Sequence, residues 1–287
     1  MTIERHSQFL NMNFFDLKFD AIKKQEALIK LDAFFNKLTP SLVATTNVEL
    51  LMLSRLDEEF KQILNKSALN LVDGAGIIWG YGIYKSWRPK IIILKQIYVF
   101  IQWFLSILFL PFFLVYFKRY VPEKLSGSDF IWDIAKYAAK NNKSIFLFGY
   151  KLGLHPNVVE KTSLKLQTAV YNLKIAGTHS GTESIAEEKA ICAQIKESEA
   201  DIIMLGLGSP RQEKWLNRNL KKTGAKVGIG LGGTFDFIAG SQKRAPKFMQ
   251  KTGFEWLWRV LQNPRRLKRL LSSLPKYAFL VLYQRFK

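Results

Sequence analysis

Short apolar runs that stop at glycine or a polar residue alternate here with longer stretches whose apolar positions recur every three or four residues. That is the rhythm of an α/β chain with a parallel sheet. Ser41-Leu42-Val43-Ala44-Thr45-Thr46-Asn47 is β-prone and ends in polar residues, and Leu69-Asn70-Leu71-Val72 stops at Asp73-Gly74-Ala75-Gly76. Between them Leu50, Leu53, Leu56, Phe60 and Leu64 fall on one side of a predicted helix. The first forty residues mix aromatics with lysines, and Ala27, Leu28, Leu31, Phe34 and Phe35 carry a helical spacing. After Gly127 the alternation resumes, with a helix at about 129–141, a strand over Ser144–Gly149 and a further helix. Then come a strand over Val170–Gly177, a helix from about Ser184 to Ser198 and a strand over Ala200–Leu205. A helix after Pro210 leads to a last strand over Ala225–Gly230.

Ligands of open parallel sheets bind outside the carboxyl ends of the strands. Thr45 and Asp73 stand at two such ends, on consecutive strands. As a purely local device, Asp73 would instead cap a helix starting near Ala75. A third strand end runs into Gly206-Leu207-Gly208-Ser209-Pro210-Arg211-Gln212-Glu213. The glycines permit a tight turn, Ser209 suits the N-cap, Pro210 the first helical position and Gln212 a capping box. A helix N-terminus beside Arg211 attracts phosphate.

The pattern breaks after Lys85. Ile97 to Phe117 contains no charged residue, Pro111 interrupts it, and Lys85, Arg88, Lys90, Lys118 and Arg119 flank it. By length and polarity this is a membrane-helix candidate; as a helix of a soluble core it would need burial on every side. From Lys243 the chain is helical in pattern and strongly basic, with Glu255 its only acid.

The formal net charge of +20 over 287 residues favours polyanions: nucleic acid, an anionic membrane face or phosphorylated substrates. No basic-aromatic stacking module or recognition helix is evident, so nucleic acid is not the expected partner. One cysteine, Cys192, excludes an internal disulfide and falls among the apolar positions of a helix. His6, His155 and His179 are too dispersed for a histidine-rich metal site, and no metal or cofactor is expected. Met1 to Asn13 is polar and lacks the apolar centre of a secretory signal. Gly228-Ile229-Gly230-Leu231-Gly232-Gly233 matches a dinucleotide fingerprint letter for letter, yet it follows the last strand. Lys247, Gln250 and Lys251 stand where the ribose-binding acid belongs. Asp57-Glu58-Glu59 reads as a solvated helix face.

The blocks Thr45-x-Asn47, Asp73-Gly74-x-Gly76, Gly127-x-Asp129 and Gly206-Leu-Gly-x-Pro210-x-Gln212-Glu213 stand in order. Gly230-x-Gly232-Gly233-x-Phe235-Asp236, Arg244-Ala245-Pro246 and Glu255-Trp256-Leu257-x-Arg259 follow them. Together they closely resemble the WecG/TagA/CpsF glycosyltransferases, over roughly residues 40 to 270 outside the apolar insert. The resemblance implies an inverting transfer of an N-acetylmannosamine-like sugar from a UDP-sugar to a polyprenyl-diphosphate-linked sugar, in bacterial cell-surface polysaccharide synthesis. It implies the cytoplasmic face of the plasma membrane, a peripheral or monotopic attachment to an anionic surface, and no cofactor; self-association stays open. The catalytic pair falls on Asp73, as general base, and Thr45. Substrate contacts fall on Asn47, Gly206, Gly208, Arg211, Gln212, Glu213, Arg259, Arg266 and Arg269. Lys124 stands where an Arg is expected, and the insert at about 85–121 is this chain's own addition. The expected fold is a single Rossmann-like α/β domain over 1–242 with a basic helical appendage over 243–287. The alternative class is a non-enzymatic membrane-surface protein that binds phosphorylated lipid, which gives no reason for Thr45 and Asp73 at neighbouring strand ends.

Overall fold

The computed structural model describes residues 11–87, 89–150, 157–182 and 184–286. The readings made on Met1–Leu10, His6 and His155 lie outside them. Eight strands form one sheet: β1 (Asn11–Phe14), β2 (Leu17–Asp20), β3 (Ser41–Thr46), β4 (Leu69–Val72), β5 (Ser144–Tyr150), β6 (Lys174–Gly181), β7 (Ile202–Gly206) and β8 (Val227–Gly230). Their order is β1-β2-β4-β3-β8-β7-β5-β6, and every pairing except β1 with β2 is parallel. The chain steps outward from β3 to β4, crosses to β5 and β6 at the far side, and returns through β7 to β8 beside β3. Such a reversal leaves a crevice at the carboxyl ends of the central strands.

The helices before the second half of the sheet are α1 (Lys24–Phe34), α2 (Val48–Ser54), α3 (Glu58–Lys66), α4 (Ala75–Lys85), α5 (Ile92–Leu108), α6 (Leu110–Phe117) and α7 (Gly127–Lys140). Those after it are α8 (Val158–Ala169), α9 (Ile185–Glu197), α10 (Arg211–Asn219), α11 (Thr234–Ala239), α12 (Lys247–Thr252), α13 (Glu255–Gln262) and α14 (Arg265–Phe286). Leu31, Phe130, Ile134, Leu147, Leu166, Met204 and Phe235 build one core, with α1, α7, α8 and α11 as its cover. A second core joins the β1–β2 hairpin to α2, α3, α4, α6 and α14 through Phe14, Leu51, Phe60, Ile77, Phe117 and Tyr277. Cys192 lies in a third, with Trp215 and Phe148, as its helical position implied.

The hairpin escapes the sequence pattern. Its two-residue turn is Phe15-Asp16, both at positive φ (51° and 61°), where hairpins of this length favour Asn-Gly or Asp-Gly. Met12, Phe14, Leu17 and Phe19 are nonetheless buried, which secures the register. The helix expected through Leu50–Leu64 breaks in two. Asp57 caps α3 by accepting from the Phe60 amide (3.0 Å) and, with Glu59, takes an ion pair from Lys214 of α10 (2.8 and 2.6 Å). Asp57 is therefore a bracket between helices, and Leu56 is left 88% exposed at the break.

The apolar insert is two helices, α5 and α6, bent by 110° at Phe109, with Pro111 in the first turn of α6. No single helix among the described residues is long and apolar enough to cross a membrane, while the bent pair together has the length and composition. Burial on every side is absent: in α5 only Val99 and Ser106 are buried, and Ile92, Ile93 and Phe100 stand more than half exposed. The Trp79 indole donates to Ser106 Oγ (2.8 Å) and the Trp103 indole to the Ala278 carbonyl (2.8 Å), which pins α5 to α4 and α14. The basic tail is helical as expected, and it is also part of the core. Tyr277, Val281 and Leu282 are buried, and the Tyr277 hydroxyl donates to the Gly76 carbonyl (2.8 Å).

Candidate active site

Thr45 and Asp73 meet because β3 and β4 are neighbours in register: Thr45 pairs with Leu71, Thr46 with Val72, and the Asp73 amide donates to the Thr46 carbonyl (3.0 Å). Thr45 Oγ1 donates to the Gly230 carbonyl (3.3 Å), tying β3 to β8 at the floor of the crevice. Asn47 caps α2, its Oδ1 accepting from the Leu50 amide (3.2 Å). Asp73 caps nothing. The cap of α4 is Gly74 at φ 105°, a conformation that suits glycine, and no side chain bonds to that helix end. Among the described residues the Asp73 carboxylate takes no hydrogen bond. Burial pushes it up to about 6, against the pull of Arg259 and Lys124.

Those two cations come from separate parts of the chain and share one acid, Glu255. The Leu125 amide donates to the Val72 carbonyl (2.9 Å), which holds Lys124 beside the end of β4. Lys124 Nζ pairs with Glu255 Oε2 (3.4 Å), and Glu255 Oε1 pairs with Arg259 (2.8 Å), whose guanidinium lies 5.1 Å from the Phe237 ring centroid. Burial opposes the Glu255 charge, yet Arg259 and Lys124 hold its carboxyl below the usual range. Arg259 thus pairs with Glu255, the one acid of the basic tail. Arg266 and Arg269 belong to α14, and their side chains lie outside the described residues.

The Gly206 corner differs from its expected geometry. α10 begins at Arg211, Pro210 occupies the cap position, and Ser209 makes no cap bond. Ser209 Oγ instead donates to Glu213 Oε1 (2.7 Å), while Gln212 Nε2 donates to Glu213 Oε1 (2.8 Å) and Ser209 Oγ (3.1 Å). Gln212 Oε1 accepts from the Gly232 amide (2.9 Å). Gln212 and Glu213 are 2% and 1% exposed, so they brace the turn after β7 against the turn after β8. Burial raises the Glu213 carboxyl above its ordinary range. A Cβ on Gly206 would meet Phe235 at 2.6 Å, and one on Gly230 would meet Gln212 at 2.7 Å, so close packing accounts for both glycines. On Gly228 it would meet Leu216 at 2.5 Å, which explains another glycine of the apparent dinucleotide fingerprint. Arg211 donates to the Leu207 carbonyl (2.7 Å) across the left-handed Gly208. Replacing Gln212 by Ala should leave buried partners unpaired, lowering stability by about 1–3 kcal/mol in thermal or denaturant unfolding.

Two cavities meet here. One of about 750 Å³ lies over Thr45, Gly208, Arg211, Gln212, Gly232 and Thr234, at the carboxyl ends of the central strands. The other, about 420 Å³, runs past Lys124 and Glu255 to Trp79, Leu110 and Leu274. Asn47, Asp73 and Arg259 belong to the walls of both. Gly206 and Glu213 line neither. Sequence reasoning missed Glu255 as a site residue, although its isolation among basic residues was the signal, and took Lys124 only as a departure. Behind this site Arg244 makes two 2.6 Å bonds to the Asp129 carboxylate. Burial resists the Asp129 charge, but hydrogen bonds from Arg244 and Ser126 keep its carboxyl low. Among the described residues no group of three or more His, Cys, Asp or Glu side chains is placed to hold a metal ion.

The family model of the glycosyl transferase WecG/TagA/CpsF family matches residues 12–93 and 108–287, so only 94–107 of α5 falls between the two segments. α6 lies inside the match, which corrects the expectation that the whole insert at about 85–121 is this chain's own addition. The N-acetylglucosaminyldiphosphoundecaprenol N-acetyl-beta-D-mannosaminyltransferase of Bacillus subtilis (strain 168) is 37% identical over 160 residues, 56% of this chain and 60% of that enzyme. The enzyme of the same name from Staphylococcus aureus (strain MW2) is 24% identical over 281 residues, 97% of this chain and 95% of its own length. Since the family match runs through both cavities and every strand of the sheet, this chain belongs to the WecG/TagA/CpsF glycosyltransferase family.

Proposed function

We propose that this chain transfers an N-acetylmannosamine-like sugar from a UDP-sugar to a sugar carried on a polyprenyl diphosphate, with inversion at the anomeric carbon. The observation that carries the reading is Asp73: a carboxylate without a hydrogen-bond partner among the described residues, on the wall shared by two cavities. The donor would occupy the larger cavity over the strand ends, with the acceptor sugar in the smaller. Asp73 takes the proton of the acceptor hydroxyl as that oxygen bonds to the anomeric carbon. The bond from this carbon to the UDP oxygen breaks on the opposite face. Arg259 offsets the charge that develops on the leaving diphosphate. A value near 6 leaves Asp73 mostly ionised at neutral pH and able to accept that proton. The relatives' names support the choice of sugar and acceptor. The test is a screen of UDP-sugars against an N-acetylglucosaminyl-diphosphate-lipid. UDP release with a disaccharide-lipid product is expected, and no transfer from any donor would overturn the reading.

We further read α5–α6 as a re-entrant or interfacial element at an anionic cytoplasmic membrane face, with the basic tail beside it. Strands on both sides of the insert share one sheet, which argues against a single crossing. Exposed Lys85, Lys90, Lys118 and Arg119 flank it, each worth about 1 kcal/mol near anionic headgroups. Single cysteines at Lys90 and Lys118, in a Cys192→Ser background, should both label only from the cytoplasmic side. Labelling of one from each side would refute this.

A further inference from the structure

We infer that the apolar half of the smaller cavity is a binding site for the first isoprenoid units of the lipid acceptor; this rests on the acceptor reading above. One part of the cavity is charged, with Asp73, Lys124 and Arg259 in its wall. The remainder is lined by Trp79, Ile107, Leu110, Leu270, Leu274 and Ala278. A cavity of about 420 Å³ falls in the range that accepts small ligands. Lys124, the cation of this wall that the leaving UDP does not use, lies next to an apolar channel and complements a diphosphate that continues into a hydrocarbon chain. A sugar diphosphate alone would leave that channel wet. Ile107 and Leu110 come from the insert, whose outer residues Phe104, Leu108 and Phe112 are 49%, 59% and 76% exposed. The channel therefore borders exposed apolar residues of the insert, where a chain too long for the cavity can leave it.

The channel's walls are fixed. The Trp79–Ser106 hydrogen bond holds α5 against α4. Gly253, at φ 86°, lies where a Cβ would meet Leu114 at 2.8 Å, Ala75 at 3.0 Å and Leu110 at 3.4 Å. Glycine there lets α6 approach the start of α4 and closes one side of the channel. The insert thus has a role in recognition as well as in membrane contact: it selects an acceptor by its hydrocarbon as well as its sugar.

The experiment compares binding of farnesyl diphosphate, below its micelle concentration, and methyl diphosphate to the full chain by calorimetry. The wild type should bind farnesyl diphosphate at least ten-fold more tightly. Ile107→Asn and Leu270→Asn, each changing a partly or largely exposed residue, should remove most of that preference without altering methyl diphosphate binding. Equal affinity for the two compounds in the wild type would overturn the inference, as would a preference that survives in both variants. Equal loss for both diphosphates in the variants would also overturn it, because it would place the effect at the phosphate site. Absence of sugar transfer from every donor would sink the acceptor reading but leave this affinity difference measurable.

Discussion

Asp73→Asn is expected to lower turnover by roughly 10²–10⁴-fold, the usual contribution of a positioned general base. The amide keeps the size of the side chain, and among the described residues Asp73 makes no hydrogen bond whose loss would disturb the fold. A second measurement separates chemistry from structure. Burial raises Asp73 to about 6, against an ordinary value of 3.8, so between roughly pH 4 and 6 the folded protein keeps a proton that the unfolded chain has released. Stability from this group is present at low pH and is lost as pH rises through that window. Asn carries no such penalty, and the variant should be about 1–3 kcal/mol more stable than the wild type at pH 7, and not at pH 4. The wild-type rate should fall below an apparent pKa near 6, because the base must be ionised. Near-normal turnover of the variant, or a flat acid limb, would remove Asp73 from the chemistry.

Arg259→Ala should lower kcat/KM for the donor by about 10²–10³-fold, the scale seen when one preorganised charge at a developing anion is removed. The same substitution should move the acid limb to higher pH, since Arg259 is the strongest of the cations that favour the ionised form of Asp73. Arg259→Lys should restore most of the pH shift and less of the rate, because an ammonium supplies the charge without the planar fork. Loss of rate with an unmoved pH profile would show that the guanidinium acts only through packing on Phe237 and Glu255.

The strand ends were legible because a buried parallel strand is a continuous apolar run, so the first polar residue after it marks where the sheet opens to ligand. Thr45 and Asp73 are both found that way. Ser209, Gln212 and Glu213 were misplaced for the opposite reason. Their spacing fits a local cap, while Ser209 and Glu213 bond to one another and Gln212 reaches the Gly232 amide in the next turn of the sheet. No short-range rule sees a hydrogen bond between two loops. Asp57 fails in the same way, as its second partner is Lys214 on another helix. The β1–β2 hairpin was hidden because Phe15 and Asp16 adopt a turn that their residue types do not announce. The tail's charge drew attention to phosphate and away from Tyr277, which the aromatic end of the chain supplies to the core.

The pairings between distant motif blocks limit how freely this scaffold can be rebuilt. Asp129 answers to Arg244, Lys124 to Glu255, and the Gly76 carbonyl to Tyr277. Each pair joins the first half of the chain to the segment after residue 243. A chimaera that imports only that segment from a relative would inherit half of every contact, with charges and hydroxyls facing the wrong neighbours. Swapping acceptor preference between members is therefore a matter of transplanting α4, the insert and the residues around Lys124 together with the tail. A suppressor screen on a faulty graft should return changes near Gly76, Lys124 and Asp129.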